Sequence, residues 1–185
     1  MKRAGLLAAV LLVLGCSESG AQPVAPVCEA ACREDIAVRG VRETLKLVFN
    51  LALQGKPVGA HDETLACPLG GTARVFGTAT SNAEQGSTFV MLTYELTDCA
   101  YSQQDDEPEE AYAIVTTGVF EQEGTLAVQP SSTTALRIES TAVSVRGTVY
   151  DPAVPYEASA CALRLVQNGS LLSGTLCERP VGLDL

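Results

Sequence analysis

The first regular pattern of apolar residues with a long period spans positions 29–54. Apolar side chains recur there at steps of three and four residues, and this spacing places them on one face of an α-helix. The stripe consists of Val38, Val41, Leu45, Val48 and Ala52, widened by Ala37 and Leu51. Gly55 and Pro57 follow as a stop signal. The pattern predicts one helix over 29–54.

Charged residues occupy the other faces of this predicted helix. They are Arg39, Arg42, Glu43 and Lys46 on the sides, and Glu29, Glu34 and Asp35 towards the N-terminus. Carboxylates near a helix N-terminus interact favourably with the helix dipole. A stripe of this kind binds either a core or a partner protein, and we expect a core-facing helix.

After Gly55 the pattern changes to the alternation that is typical of β-strands. The clearest segment is 87–98, where Val90, Leu92, Tyr94 and Leu96 share one face. Thr93, Glu95 and Thr97 share the other face, on which Phe89 and Met91 interrupt the alternation. The predicted strands are 71–80, 87–98, 111–121, 124–129, 133–140, 142–150, 156–167 and 170–178.

Turn signals and a change of parity set the predicted connections. The apolar positions switch from even to odd numbers between 133–140 and 142–150, which requires a turn or bulge near Ser140-Thr141. Glu123-Gly124 and Asn168-Gly169 are tight-turn signals. Strands this closely spaced imply an antiparallel meander.

These elements predict an α+β fold. We expect the N-terminal helix to pack on a mainly antiparallel sheet of seven to eight strands, stapled by disulfides. If the sheet curls around the helix, a partly closed barrel is the expected variant.

A second apolar run, Ala4–Leu14, precedes the helix and follows Lys2 and Arg3. A membrane-spanning helix needs about 20 apolar residues, so this run of eleven is too short to span. Its length fits the apolar region of a signal peptide. The run ends in Val13-Leu14-Gly15-Cys16.

The sequence Val13-Leu14-Gly15-Cys16 resembles the lipobox of bacterial lipoproteins. The resemblance implies that residues 1–15 are removed as a signal peptide. It also implies that Cys16 receives a diacylglyceryl group and that its new amine is acylated, as with palmitate. The lipid bilayer is then a partner of the chain through Cys16, and Ser17 favours the outer membrane. The alternative is an ordinary secreted protein with Cys16 unpaired.

The remaining chain divides into a tether and one domain. Residues 16–27 are small, polar and proline-containing, which predicts a lipidated flexible tether. Residues 28–185 predict one extracytoplasmic domain, with the helix at 29–54 and a β-rich part at 65–180.

The formal charge excludes one large class of partners. It is −10 for the full chain and becomes −12 when Lys2 and Arg3 are removed with the signal peptide. Nucleic-acid binding needs clustered Lys and Arg, and the sequence has no basic patch. We therefore expect no nucleic-acid partner, and attachment to membranes through the lipid alone.

Six cysteines remain besides Cys16. An even number in an exported chain indicates a disulfide framework, and the six are Cys28, Cys32, Cys67, Cys99, Cys161 and Cys177. Proximity along predicted hairpins favours Cys67–Cys99 and Cys161–Cys177, which leaves Cys28–Cys32. The alternative is a zinc site, which usually uses Cys-x2-Cys pairs or Cys together with His. Here the closest pair is Cys28 and Cys32, spaced Cys-x3-Cys, and His61 is the only histidine.

Two polar segments are candidates for chemistry. His61-Asp62-Glu63 contains a catalytic residue type, but adjacent residues seldom converge on one substrate, and we expect a solvated loop. The acidic run 105–110 offers calcium-type ligands without the spacing of an EF-hand, and we expect an exposed hairpin loop.

The sequence identifies no catalytic residues, no cofactor-binding residues and no metal ligands. We therefore expect a non-enzymatic cell-envelope lipoprotein, a structural or binding module whose partner is an envelope protein or a glycan. The alternative is a small periplasmic hydrolase that uses carboxylates or a Ser/His pair. A pocket that gathers His61 with carboxylates favours the hydrolase, whereas a pocket-free sheet favours the module.

Overall fold

A computed structural model of the chain describes residues 27–82, 86–104, 107–127 and 133–185. The predicted signal peptide, Cys16 and almost all of the predicted tether lie outside the described residues. The part that is described contains one α-helix, α1 (Ala30–Leu53), and one sheet of eight strands. The strands are β1 (Gly59–Ala66), β2 (Thr72–Asn82), β3 (Ser87–Gln103), β4 (Tyr112–Ala127), β5 (Ala135–Val149), β6 (Val154–Asn168), β7 (Leu171–Leu176) and β8 (Arg179–Asp184).

The sheet is an antiparallel meander in which every strand pairs with the strands before and after it in the chain. This confirms the α+β class and the helix packed on an antiparallel sheet. Over the described residues, no helix combines the length and the apolar character that crossing a membrane requires.

The apolar stripe of α1 lies in the core, as its spacing predicts. Val38, Val41 and Val48 are completely buried, and Leu45 is almost so. Leu51 does not belong to this stripe, because its side chain is 57% exposed. The charged side of the helix is not wholly exposed to solvent, since Arg42 is buried.

The sheet curves around the helix. Within one helical turn, Arg39 reaches Asp184 of β8, and a Cβ built on Gly40 would lie 2.6 Å from the Ile114 side chain of β4. In a flat sheet β4 and β8 would be about 19 Å apart, which exceeds the diameter of a helix, about 10 Å. The strands therefore form a concave face that holds α1.

The sheet is nevertheless open, and the expected partly closed barrel is not confirmed. Among the described residues β1 and β8 pair on one side only. The outer edge of β8 bonds to the helix instead, because the Gly182 N–H donates to Asp35 Oδ1 at 3.0 Å and Arg39 donates to the Asp184 carbonyl at 2.8 Å. Side chains of α1 thus occupy the edge that closure would use.

The turn predicted at Glu123-Gly124 is wrong, and the turn or bulge predicted near Ser140-Thr141 is an irregularity inside one strand. The described parts of segments 111–121 and 124–129 lie almost wholly in the single strand β4, and most of segments 133–140 and 142–150 lies in β5; residues 128–129 lie outside the described part. Gly124 lies inside β4 rather than in a turn. A Cβ at this position would lie 2.1 Å from the Ala135 carbonyl oxygen. The glycine allows β5 to approach closely. The irregularity predicted near Ser140 is present as a register shift.

Two strands were not predicted at all. β1 contains the polar sequence His61-Asp62-Glu63, and β8 contains Pro180 and Gly182. Each is an edge strand, where the patterns of a central strand weaken. The predicted strand 170–178 ends early, at Leu176, because Cys177 and Glu178 adopt positive φ and form a turn.

The six cysteines form three disulfides, Cys28–Cys32, Cys67–Cys99 and Cys161–Cys177. These are the pairs that proximity along the hairpins favours. The Asn168-Gly169 signal does mark a tight connection, although the two residues between β6 and β7 are Gly169 and Ser170.

Candidate functional site

A cavity of about 330 Å³ lies between the C-terminal half of α1 and the concave face of the sheet. This volume falls at the lower end of the range for small-molecule sites, about 300–1,000 Å³. Its walls come from α1, from the segment that follows it, and from β1 to β5.

The helix lines the cavity with two adjacent rows of side chains. Residues four apart on a helix lie above one another. One row is apolar and consists of Leu45, Phe49 and Leu53, and the other is polar and consists of Arg42, Lys46, Asn50 and Gln54. The polar row is buried at Arg42, half-buried at Lys46 and exposed at Asn50 and Gln54. The cavity therefore opens at the C-terminal end of α1.

The sheet contributes a mainly apolar wall. Its cavity-lining side chains include Ala79, Leu126, Leu136 and Ile138. Thr88 lies opposite Leu126 in the register of β3 and β4, close to the ends of these strands. The wall and the apolar row of α1 give the cavity a hydrophobic interior.

Gln122 is the polar exception in this wall. Its side chain is 5% exposed, and its neighbours in the ladder are Leu92 and Ile138. Its Oε1 atom is buried and has no hydrogen-bond partner among the described residues. Burying a polar group without a partner costs about 1–3 kcal/mol, so such groups mark places where a ligand or water completes the bonding.

Gln122 lies at the inner end of the cavity. It precedes Leu126 by four residues on β4, and four residues of a strand span about 13 Å. Buried Arg42 lies at the same inner end. Arg42 donates to Gln167 Oε1 at 3.3 Å and pairs with Glu43, so its guanidinium already has partners.

Two lysines lie nearer the opening. Lys46 pairs with Glu43 at 3.2 Å, and Lys56 pairs with Glu63, while both lysine side chains are about 40% exposed. Ion pairs as exposed as these contribute about 0–1 kcal/mol, so their members exchange partners readily. Among the described residues that line the cavity there is no Asp or Glu.

His61 also lines the cavity, and the expected solvated loop around it is wrong. The segment is strand β1, whose alternation turns His61 and Glu63 inward and Asp62 outward. Asp62 binds Arg74 through two bonds of 2.8 Å, and this interaction lowers the pKa of the Asp62 carboxyl. His61 and Glu63 therefore share one side of β1, whereas Asp62 faces away from them.

The acidic run is only partly described, since residues 105–106 lie outside the described part. Pro108–Glu110 form a turn of 3-10 helix, and Glu110 pairs with Arg39 of α1 at 3.1 Å. This end of the run is thus docked on the helix rather than freely exposed. Over the described ranges, no three His, Cys, Asp or Glu side chains come together as metal ligands would.

A buried charged cluster lies on the N-terminal half of α1, away from the cavity. The Glu34 carboxylate is almost fully buried, accepts a hydrogen bond of 2.5 Å from the Tyr156 hydroxyl and pairs with Arg179. Burial raises the pKa of Tyr156, and its bond to Glu34 raises it further. The cluster ties α1 to β6 and β8. The sequence suggested only a dipole interaction for Glu34.

Apart from His61, sequence reasoning did not identify the residues of this cavity as a site, although part of the signal is visible. Arg42, Lys46, Asn50 and Gln54 recur at steps of four beside the apolar stripe. Gln122 lies two positions after the fully buried Phe120, on the inward side of β4. Comparisons of the chain with protein-family models, with curated proteins and with solved structures find no match.

Proposed function

We propose that this chain is a lipid-anchored, non-enzymatic binding module of a bacterial cell envelope. Its cavity between α1 and the sheet binds a small, largely apolar ligand. The observation that carries the proposal is this cavity, with its mainly apolar sheet wall and one buried amide oxygen, Gln122 Oε1, that has no hydrogen-bond partner among the described residues.

The proposed location rests on the sequence together with the disulfides. Val13-Leu14-Gly15-Cys16 has the residue types and spacing of a lipobox. Disulfides persist in oxidising compartments outside the cytoplasm, and this chain forms three. Two acyl signals give stable membrane attachment. Ser17 favours the outer membrane as the place where the module works.

The composition of the cavity favours binding over hydrolysis. A hydrolase needs a nucleophile or a carboxylate pair within reach of the substrate. The described lining residues include His61 but no Asp, Glu, Ser or Cys. Glu63 shares the inward side of β1 with His61, but its carboxylate pairs with Lys56 and does not line the cavity.

Ligand binding is tested on the intact lipoprotein in phosphatidylcholine nanodiscs. Titration calorimetry with decanoate, corrected with empty nanodiscs, is expected to give saturable binding. Thr88→Trp places an indole near the opening and is expected to abolish that binding. Thr80→Trp adds the same group at an exposed position of β2 and should bind like the unmodified chain. Saturable binding that Thr88→Trp leaves intact would place the ligand elsewhere.

The anchor is tested with Cys16→Ala. Lipidation requires the Cys16 thiol, so this variant is expected to keep its signal peptide and to incorporate no labelled palmitate. The folded domain, which retains its three disulfides, should be unaffected. Cell fractionation and the mass of the purified chain provide the readout. A Cys16→Ala chain that is still cleaved and acylated would refute the anchor.

A further inference from the structure

We infer that the ligand of this cavity is a single-chain anionic amphiphile whose buried chain carries a hydroxyl group. The inference rests on the proposed binding function and assigns it a ligand class. Three features of the cavity lead to it: its volume, the unpartnered amide at its inner end and the lysines nearer its opening.

The volume restricts the ligand to one short chain. A cavity of about 330 Å³ lies at the lower end of the range for small-molecule sites, about 300–1,000 Å³. A volume of this size suits one medium-length aliphatic chain better than the two chains of a diacyl lipid.

The unpartnered amide at the inner end of the cavity indicates a polar group in the buried part of that chain. Gln122 Oε1 is an acceptor that has no donor among the described residues. A hydroxyl both donates and accepts. It therefore satisfies the Gln122 amide whichever way the oxygen and nitrogen of the amide face the cavity. Gln122 lies about 13 Å along β4 from Leu126, so the hydroxyl belongs near the far end of the chain.

The two lysines near the opening indicate an anionic head group. Lys46 and Lys56 line the cavity, and each lysine side chain remains about 40% exposed although it pairs with Glu43 or Glu63. The full chain has a net charge of −10, so an anion is repelled by most of the surface. The two lysines are placed where an anionic head would lie if its chain filled the apolar interior.

The test compares three ligands on the intact lipoprotein in phosphatidylcholine nanodiscs. They are decanoate, omega-hydroxydecanoate and decyltrimethylammonium, each measured by titration calorimetry against empty nanodiscs. We expect omega-hydroxydecanoate to bind about tenfold more tightly than decanoate, since one buried hydrogen bond contributes about 1.4 kcal/mol. We expect decyltrimethylammonium to bind more weakly than decanoate.

Variants then assign each preference to its residues. Gln122→Leu is expected to abolish the preference for the hydroxyl while decanoate still binds. Thr116→Val is its matched control, because Thr116 is also on β4, is completely buried and has an unpartnered hydroxyl, but does not line the cavity. Lys46→Gln with Lys56→Gln should equalise decanoate and decyltrimethylammonium, whereas Arg137→Gln on the outer face should not.

The outcomes separate this inference from the proposed function. If none of the three ligands binds, the binding function itself is wrong. If all three bind equally, the binding function stands and the ligand class is wrong. Should Gln122→Leu fail to fold, the Gln122 side-chain amide signals of the unmodified chain decide by NMR. They must shift with omega-hydroxydecanoate more than with decanoate, and equal shifts would overturn the role of Gln122.

Discussion

At the scale of single residues, Glu34 illustrates how this core holds a buried charge. Its carboxylate has two partners, the Tyr156 hydroxyl and the Arg179 guanidinium. Removing a hydrogen-bond partner from a buried charge lowers the free energy of unfolding more than removing one from an exposed charge, because water does not replace the lost bond.

Tyr156→Phe tests this arrangement. It removes the hydrogen bond to the buried Glu34 carboxylate and is expected to lower the free energy of unfolding by about 2 kcal/mol, measured in urea. Tyr94→Phe is the matched control, because the buried Tyr94 hydroxyl has no hydrogen-bond partner among the described residues. That variant should be neutral or slightly more stable. Equal losses in the two variants would contradict the role of Glu34.

The tyrosines also predict how stability depends on alkaline pH. Burial raises the pKa of Tyr94, Tyr112 and Tyr156 well above the ordinary value of about 10. The unfolded chain therefore releases protons at a lower pH than the folded chain does. These groups contribute stability that is fully present below about pH 10 and is lost as the pH rises through the folded pKa values.

Ultraviolet titration is expected to show this directly. The chain has five tyrosines. The three whose pKa is raised, Tyr94, Tyr112 and Tyr156, should ionise only as the protein unfolds, detected by circular dichroism in the same samples. Full ionisation of all five before any loss of structure would contradict the prediction.

At the scale of elements, the packing of α1 depends on one glycine. A Cβ on Gly40 would lie 2.6 Å from Ile114 Cδ1 and 3.1 Å from Tyr112 Cδ2, so the helix lies very close to β4 at this position. Overpacking a contact of this kind typically costs about 1–3 kcal/mol.

Gly40→Leu is therefore expected to lower the free energy of unfolding by about 1–3 kcal/mol in urea. Gly40→Ala is the control. Its single methyl meets the flexible end of Ile114, and the higher helix propensity of alanine offsets the contact by about 1 kcal/mol. We expect it to remain close to the unmodified chain. A Gly40→Leu variant of unchanged stability would indicate that α1 shifts freely over β4.

The elements that the sequence predicts best are those whose burial is regular. The stripe from Val38 to Ala52 and the alternation from Val90 to Leu96 each identify one buried face. β1 was missed because an edge strand carrying His61 and Asp62 lacks that contrast. Gly124 was misassigned as a turn because the close approach of Ala135, which requires it, involves another strand.

The cavity is harder to predict because its side chains come from several elements that are distant in the sequence. The polar row that begins at Arg42 is visible in the sequence, but Leu136, Ile138 and Gln122 join it only because the sheet curves. The curvature brings five strands against one helix, and no local pattern encodes which side chains then meet.

At the scale of the whole molecule, the three disulfides close loops of very different length. The paired cysteines are separated by 32 residues in Cys67–Cys99, by 16 in Cys161–Cys177 and by 4 in Cys28–Cys32. A crosslink stabilises mainly by restricting the unfolded chain, and the effect grows with the loop.

Replacing each pair with alanines should rank the disulfides. From the loop lengths, the free energy of unfolding is expected to fall by about 3.7 kcal/mol without Cys67–Cys99, by about 3.1 kcal/mol without Cys161–Cys177 and by about 1.9 kcal/mol without Cys28–Cys32. Urea unfolding of the three double variants gives the measured order. The ranking would be contradicted if replacing Cys28 and Cys32 destabilised the protein as much as replacing Cys67 and Cys99.

The bonds from Asp35 and Arg39 to the outer edge of β8 join the first element of the described fold to its last. The two sites are separated by about 145 residues in the chain, and contacts between such distant segments slow folding. During synthesis, the apolar stripe of α1 is complete long before β8 exists to hold it. The helix therefore acquires its final partner only when nearly the whole chain has been made, and until then its stripe is a surface for chaperones to cover.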